Sequence, residues 1–181
     1  VGGNGSGKST LMKVFTRLYE PESGGILWDD TSVESNNVTD YRTLFSSVFS
    51  DFHLFDRLYG LPEIEEKVVN DMLGDLDIAH KTQYRDGAFT NTNLSTGQRK
   101  RLALAVALLE NRPILLLDEL GADQDPEFRK RFYNELIPGW KKEGRTLVIV
   151  SHEDQYFHVA DRTIVLSDGQ TAIQRQNGAT S

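Results

Sequence analysis

The hydrophobic positions of this chain fall into two regimes, one before and one after residue 97. In the first, Leu11, Phe15, Leu18 and Tyr19 recur at helical spacing directly behind a Gly-rich opening, and "PESGG" at 21–25 breaks that helix. "ILW" followed by "DD" predicts a short strand and turn, and "LFSSVFS" at 44–50 a second strand ending in a polar bend. From Phe52 to about Asn93 no strong strand pattern stands out. Pro62 suits the first turn of a helix in which Ile64, Val68, Met72 and Leu76 recur every four residues, so 52–97 reads as a helical insertion.

The second regime alternates strands and helices. A helix is expected from Gln98 to about Glu110, with Leu102, Ala105, Val106 and Leu109 on one face. "ILLLDE" at 114–119 is a continuously apolar strand ending in two acids, the pattern of a strand buried on both faces. Asp125 and Pro126 suit the N-cap and first turn of a helix reaching about Lys142. "TLVIVSH" predicts another buried strand, 153–160 a short helix, and "RTIVLSDGQTAIQ" a hairpin turning at Asp168-Gly169. The closing "RQNGATS" is polar and is expected to fray. This alternation predicts an α/β fold with a mainly parallel sheet, built from 1–51 and 98–181, with 52–97 as a helical subdomain.

Composition narrows the partners. At 181 residues and 38% hydrophobic content the chain is one domain in size. No stretch reaches the roughly 18 apolar residues a membrane-spanning helix needs, and no signal peptide leads it. A net charge of -7 argues against a surface that holds nucleic acid, so no nucleic-acid partner is expected. The absence of cysteine excludes disulfides and thiolate metal sites, which fits a reducing compartment.

Candidate chemistry starts in the opening residues, "VGGNGSGKST". Gly2, Gly7, Lys8 and Ser9 satisfy G-x-x-x-x-G-K-[ST], whose glycines let backbone amides curl around phosphate oxygens. Gly3, Asn4, Gly5, Ser6, Gly7, Lys8, Ser9 and Thr10 are the expected phosphate-binding residues. Lys8 would act as a point charge on the β- and γ-phosphates, and Ser9 as a Mg²⁺ ligand. Such a loop normally follows a buried strand, of which only Val1 is present, so the chain reads as an N-terminally shortened fragment. The acid pair Asp118-Glu119 should lie at the carboxyl end of a neighbouring strand, where open α/β sheets bind ligands. Asp118 would hold Mg²⁺, and Glu119 would polarise a water for attack on the γ-phosphate.

"NLSTGQ" at 93–98, taken with "GGNGSGKST", "ILLLDE" and "VSHED" at 150–154, resembles the motif set of ABC-type ATPases, in the family's order and across nearly the whole chain. Leu94, Ser95, Thr96, Gly97 and Gln98 match the signature LSGGQ, with Thr96 in place of a glycine. The resemblance implies ATP and Mg²⁺ as ligands, and a head-to-tail dimer in which each ATP lies between one subunit's phosphate loop and the other's signature. It also implies that His152 touches the γ-phosphate and that Asp123 and Asp125 in "ADQD" belong to the loop crossing to the partner. Arg99, Lys100 and Arg101 are read as a solvated basic face; His53, His80 and His158 are read as structural.

One position departs from the family. A glutamine usually ends the strand before the helical insertion; counting back five from the Leu54-Phe55 pair of "SDFHLF" gives Ser50. Ser50, a weak Mg²⁺ ligand, or Asp51, a strong one, would substitute, or the segment keeps a docking role only. "FSDFHLFDRLYGL", "LSTGQRKRLAL" and "DELGADQDPEFRKRFYNELIP" further resemble bacterial exporters of cyclic peptides, microcins and peptide siderophores of the pyoverdine type, although Leu120 stands where that branch has an aromatic. This branch implies a transmembrane domain on the same polypeptide, a place at the cytoplasmic face of the bacterial inner membrane, and an adenine-stacking aromatic upstream of Val1. The aromatic segment 52–61 would couple the ATPase to that membrane domain. Two other readings are a soluble ABC protein of translation or DNA repair and a catalytically silent domain; the intact set Lys8, Asp118, Glu119 and His152 speaks against the second.

Overall fold

The computed structural model describes residues 1–176. Helix α1 (Lys8–Phe15) starts directly after Gly7, whose φ of 91° lies in the left-handed region, as does that of Gly5 at 76°. These two positions let the opening loop coil tightly, at a backbone cost a side chain would raise. A hairpin of β1 (Leu27–Trp28) and β2 (Thr31–Ser32) follows, turning through Asp29 and Asp30, both left-handed. Then come α2 (Val38–Arg42), β3 (Phe45–Val48) and α3 (Glu66–Asp75). Next are a small hairpin of β4 (Tyr84–Arg85) and β5 (Ala88–Phe89), α4 (Thr96–Leu109) and β6 (Ile114–Asp118). The chain closes with α5 (Pro126–Arg131), α6 (Ile137–Lys142), β7 (Thr146–Val150), β8 (Arg162–Ser167) and β9 (Gln170–Gln176).

The central sheet is parallel, in the order β3-β6-β7. Its middle strand is β6, and both of its faces are covered. Leu115 and Leu117 pack with Val48, Leu102, Ala105 and Leu108 on the α4 side. Leu116 packs with Met12, Tyr41, Phe45 and Val150 on the α1 side. All three leucines are fully buried, each stabilising the fold by about 1.5–3 kcal/mol relative to exposure. That two-sided burial is why the strand carries no polar alternation.

β8 and β9 form an antiparallel hairpin turning at Asp168-Gly169, both with φ > 0, as the sequence predicts. The nitrogen of Val1 donates to Ile164 O, and Leu166 N donates to Val1 O, both at 2.8 Å, so the phosphate loop enters alongside β8. Between β7 and β8 runs a groove of about 570 Å³, lined by Met12, Leu147, Ile149, Ile164 and Leu166 among others.

Several expectations are corrected. The insertion contains the β4–β5 hairpin, turning at left-handed Asp86 and Gly87, as well as a helix. Helix α3 starts at Glu66, leaving Pro62 outside it. Its buried residues are Val69 and Leu73, while Val68 is exposed, so the core face is rotated by one residue from the expected stripe. Helix α4 is buried nearly all round, adding Leu104, Ala107 and Leu108 to Leu102 and Ala105. The helix from Pro126 is interrupted by a π-helical turn at Phe132–Leu136, two residues short of Pro138, which lacks the N–H that a regular turn would use. On α1 the buried residues are Lys8 and Met12, whereas Leu11 and Phe15 are exposed. Of the tail expected to fray, Arg175 and Gln176 belong to β9, and 177–181 lie outside the described residues.

Candidate active site

Strand register assembles the site. Val48 pairs with Leu117 and Asp118 with Val150, so Ser50, Asp118-Glu119 and Ser151-His152 all emerge at the carboxyl end of the sheet. Lys13 on α1 reaches Asp51 with an ion pair of 2.7 Å, which lays the helix behind the phosphate loop over the same end.

Within the loop, Lys8 is buried, and its Nζ donates to Gly2 O at 3.0 Å and Gly3 O at 2.8 Å. The ammonium is thus held on the loop's own carbonyls. Gly2 lies so close to β8 that a Cβ there would overlap Leu166 O, and Ser6 N–H and its carbonyl tie the loop to Gly3 and Gly169. Gly3, Asn4 and Gly5 are exposed, Ser9 is half-buried, and Thr10 is exposed in the first turn of α1. An exposed Gly-rich turn opening a helix is suited to an anionic group.

Asp118 is buried. Its Oδ2 accepts from the Ser50 hydroxyl at 3.0 Å, while Oδ1 has no partner within the chain. A buried carboxylate oxygen without a donor is costly unless something else satisfies it. With the Ser50 hydroxyl beside it, it presents oxygen donors only, which suits Mg²⁺, an ion that keeps most of its shell for water and phosphate. Asp51 is engaged elsewhere: its exposed carboxylate is hydrogen-bonded to Lys13, which lowers its pKa below the ordinary aspartate value. Of the two candidates for the missing glutamine, Ser50 is the one against Asp118.

Glu119 adopts a left-handed conformation, φ 53°, at the turn leaving β6. Its N–H donates to Val150 O at 3.1 Å, its carbonyl accepts from Lys100 Nζ at 2.7 Å, and its Oε1 lies 2.9 Å from His152 Nε2. Ser151, beside His152, is hydrogen-bonded to the buried Tyr133 hydroxyl at 2.8 Å. Burial raises the pKa of that hydroxyl, so it stays neutral. His53 is an exposed ring packed on Phe55, His80 is exposed, and His158 Nδ1 lies 2.9 Å from Gln155 O.

At the signature, Ser95 N-caps α4 in a capping box with Gln98, each side chain accepting from the other's backbone N–H. Thr96 is exposed, and Leu94 packs on the core. The space above Gly97 is taken by its own chain: a Cβ there would overlap Asp123 O. The expected basic face is corrected here. Lys100 and Arg101 are buried; Lys100 pairs with Asp123 at 2.6 Å, and Arg101 with Asp125 and, at 3.4 Å, Asp77. Arg101 also stacks on the Phe128 ring, 3.7 Å from its centre. Asp125 caps α5 by accepting from Phe128 N, and that bond together with Arg101 holds its carboxyl below the usual range. Sequence reasoning missed Gln124, buried inside "ADQD": it accepts from Arg101 Nε at 2.8 Å and donates to Gly97 O at 3.1 Å and Leu120 O at 3.2 Å. Its sole signal was a polar residue flanked by two motif aspartates.

A parallel sheet with a Gly-rich, lysine-bearing loop at one helix and a buried aspartate at the neighbouring strand end defines a P-loop nucleotide hydrolase. The chain belongs to the ABC transporter family, whose family model matches residues 1–122. It is 53% identical over 173 residues to the ATP-binding protein SyrD of Pseudomonas syringae pv. syringae, covering 93% of this chain and 31% of that protein. It is 31% identical over 195 residues to the ATP-dependent lipid A-core flippase of Aliivibrio fischeri, covering 99% and 32%. A solved bacterial Atm1-family ABC exporter with ATP bound superposes with a TM-score of 0.81 at 26% identity, covering 97% of this chain and 33% of that one. The chain therefore spans about a third of the length of these relatives. It is an ATPase domain of the ABC class. No helix among the described residues is long and apolar enough to cross a membrane.

Proposed function

We propose that this domain hydrolyses Mg²⁺-bound ATP to drive export of a peptide across the bacterial inner membrane, from its cytoplasmic face. The observation carrying the chemical part is the Glu119–His152 pair, 2.9 Å apart at the strand end that Asp118 terminates. Glu119 orients a water and takes its proton as the water oxygen bonds to the γ-phosphorus and the bond to the β–γ bridging oxygen breaks, releasing ADP and phosphate. His152, 2.9 Å from Glu119, aims its carboxylate and would also touch the transferred phosphoryl group. Lys8 and the amides of Gly3 to Thr10 bind the phosphates. Asp118 and Ser9, with Ser50 in place of the usual glutamine, would hold Mg²⁺, which when bound neutralises charge on the β- and γ-phosphate oxygens.

The helix opened by Ser95, with Thr96, Gly97 and Gln98, would face ATP in a second copy, giving a head-to-tail dimer that closes on ATP and reopens after hydrolysis. Likeness to a solved exporter and to a lipid A-core flippase supports a transmembrane partner domain, and the "SDFHLF" and "ADQDP" segments support a peptide or peptide-siderophore cargo. The exposed rings of Phe55 and Tyr59, 5.4 Å apart, are the proposed contact with that membrane domain. Inside-out vesicles containing the intact protein test the reading. ATP-dependent uptake of a cyclic peptide, a microcin or a peptide siderophore, but not of lipid A-core, is expected; uptake of lipid A-core alone would contradict it.

A further inference from the structure

Two lysines are buried among the described residues, Lys8 in the phosphate loop and Lys100, which is 5% exposed, and the burial of Lys100 has an identifiable cause. Lysine is seldom buried unless paired. Here the ammonium bridges two oxygens of different character: Asp123 Oδ2 at 2.6 Å, on a carboxylate still half open to solvent, and the backbone carbonyl of Glu119 at 2.7 Å. An ion pair with Asp123 alone could form at the surface. Reaching the Glu119 carbonyl is what requires the side chain to run inward.

That carbonyl belongs to a residue in an uncommon conformation. Glu119 is left-handed at φ 53°, which a non-glycine residue sustains only where its surroundings over-determine it. Its backbone has three anchors: its own N–H on Val150 O at 3.1 Å, and its carbonyl, which accepts from Lys100 Nζ at 2.7 Å and, over a longer 3.3 Å, from the Ala122 N–H. The first fixes where the turn leaves the sheet; the two donors on the carbonyl fix the peptide plane beyond Glu119, and Lys100, the shorter and charged one, is the one that comes from another element. Together they set the direction of the Cα–Cβ bond and hence the carboxylate that meets His152. Lys100 also lies about one turn into α4, the helix that Ser95 caps.

We propose that Lys100 is a positioning residue for Glu119: it holds the strained turn that aims the carboxylate, and it ties that turn to the signature helix and to Asp123. Resting on Glu119 as the water-orienting base, it adds a residue that touches neither nucleotide nor water. Lys100 acts on turnover through Glu119, without contributing to ATP binding.

The test is steady-state ATP hydrolysis by the intact protein in lipid, comparing wild type, Lys100→Met, Lys100→Arg, Glu119→Gln and the Lys100→Met/Glu119→Gln double variant. Lys100→Met removes the donor at similar length and is expected to lower kcat by about tenfold or more with KM for ATP within about twofold. Lys100→Arg keeps donors for both oxygens and is expected to restore most of kcat. In the Glu119→Gln background Lys100→Met is expected to cause no further loss, the non-additivity of two residues acting as one unit. Should Lys100→Met fail to fold, Lys100→Gln, polar but one methylene shorter, takes its place against the same outcomes. An unchanged kcat in Lys100→Met while Glu119→Gln is inactive overturns the proposal and leaves the role of Glu119 standing. A parallel loss of kcat and ATP affinity without rescue by arginine assigns Lys100 a structural role and also overturns it. Full turnover by Glu119→Gln removes the base on which the proposal rests.

Discussion

Ser50 donates its hydroxyl hydrogen to Asp118 Oδ2 over 3.0 Å, across a sequence separation of 68 residues. The neighbouring Asp51 is instead paired with Lys13 at 2.7 Å. Ser50→Ala is therefore expected to weaken divalent-ion binding to the ATP-loaded protein by about tenfold, as loss of a partner to a ligating carboxylate does. Asp51→Ala should change it by less than about twofold, its exposed ion pair lying outside the site. Mn²⁺ titration followed by electron paramagnetic resonance reads both, and a larger effect from Asp51 would place the metal on the other side of Ser50.

Gly97 is held against Asp123 O with no room for a methyl group, and backbone cannot swing aside as a flexible side chain would. Gly97→Ala is expected to destabilise the domain by about 1–3 kcal/mol, the usual cost of overpacking. Chemical denaturation measures this. An unshifted midpoint would show that α4 and the Asp123 loop separate freely.

Asp125 gives a pH dependence of known sign. Its folded-state pKa is depressed, first by the Phe128 N–H and then by Arg101, so its contribution to stability is present above the unfolded value. That contribution is lost as pH falls from about 5 through the unfolded value near 3.9 and then through the folded one. Asp125→Asn stays neutral throughout. The stability gap between wild type and variant should therefore shrink on acidification from about pH 6 to about pH 3, measured by urea midpoints at each pH. A gap that widened would reverse the assigned direction.

What the sequence could and could not disclose follows from the range of the interactions. "ILLLDE" declared a strand buried on both faces because Leu115, Leu116 and Leu117 each need a side of the sheet, and local pattern records that. Asp125-Pro126 and Asp168-Gly169 declared a cap and a turn because those are contacts within four residues. Val68 and Val69 are equally apolar neighbours, so only packing against α4 selects Val69 for the core. The β4–β5 hairpin has two residues per strand, too short for an alternating pattern to register. Lys100 and Arg101 read as surface charge because their aspartate partners lie 23 or 24 residues away, beyond the reach of any helical spacing rule. Ser50 and Asp51 were inseparable in sequence; a lysine 38 residues upstream distinguishes them.

The most direct test is single-turnover and steady-state ATP hydrolysis by the intact protein in lipid, wild type beside Glu119→Gln. Loss of turnover by about 100-fold or more with ATP still bound is the expected result, since a positioned general base contributes on that scale. Turnover unchanged in Glu119→Gln would contradict the account, because the carboxylate held by His152 and aimed from a left-handed turn would then have no part in activating water.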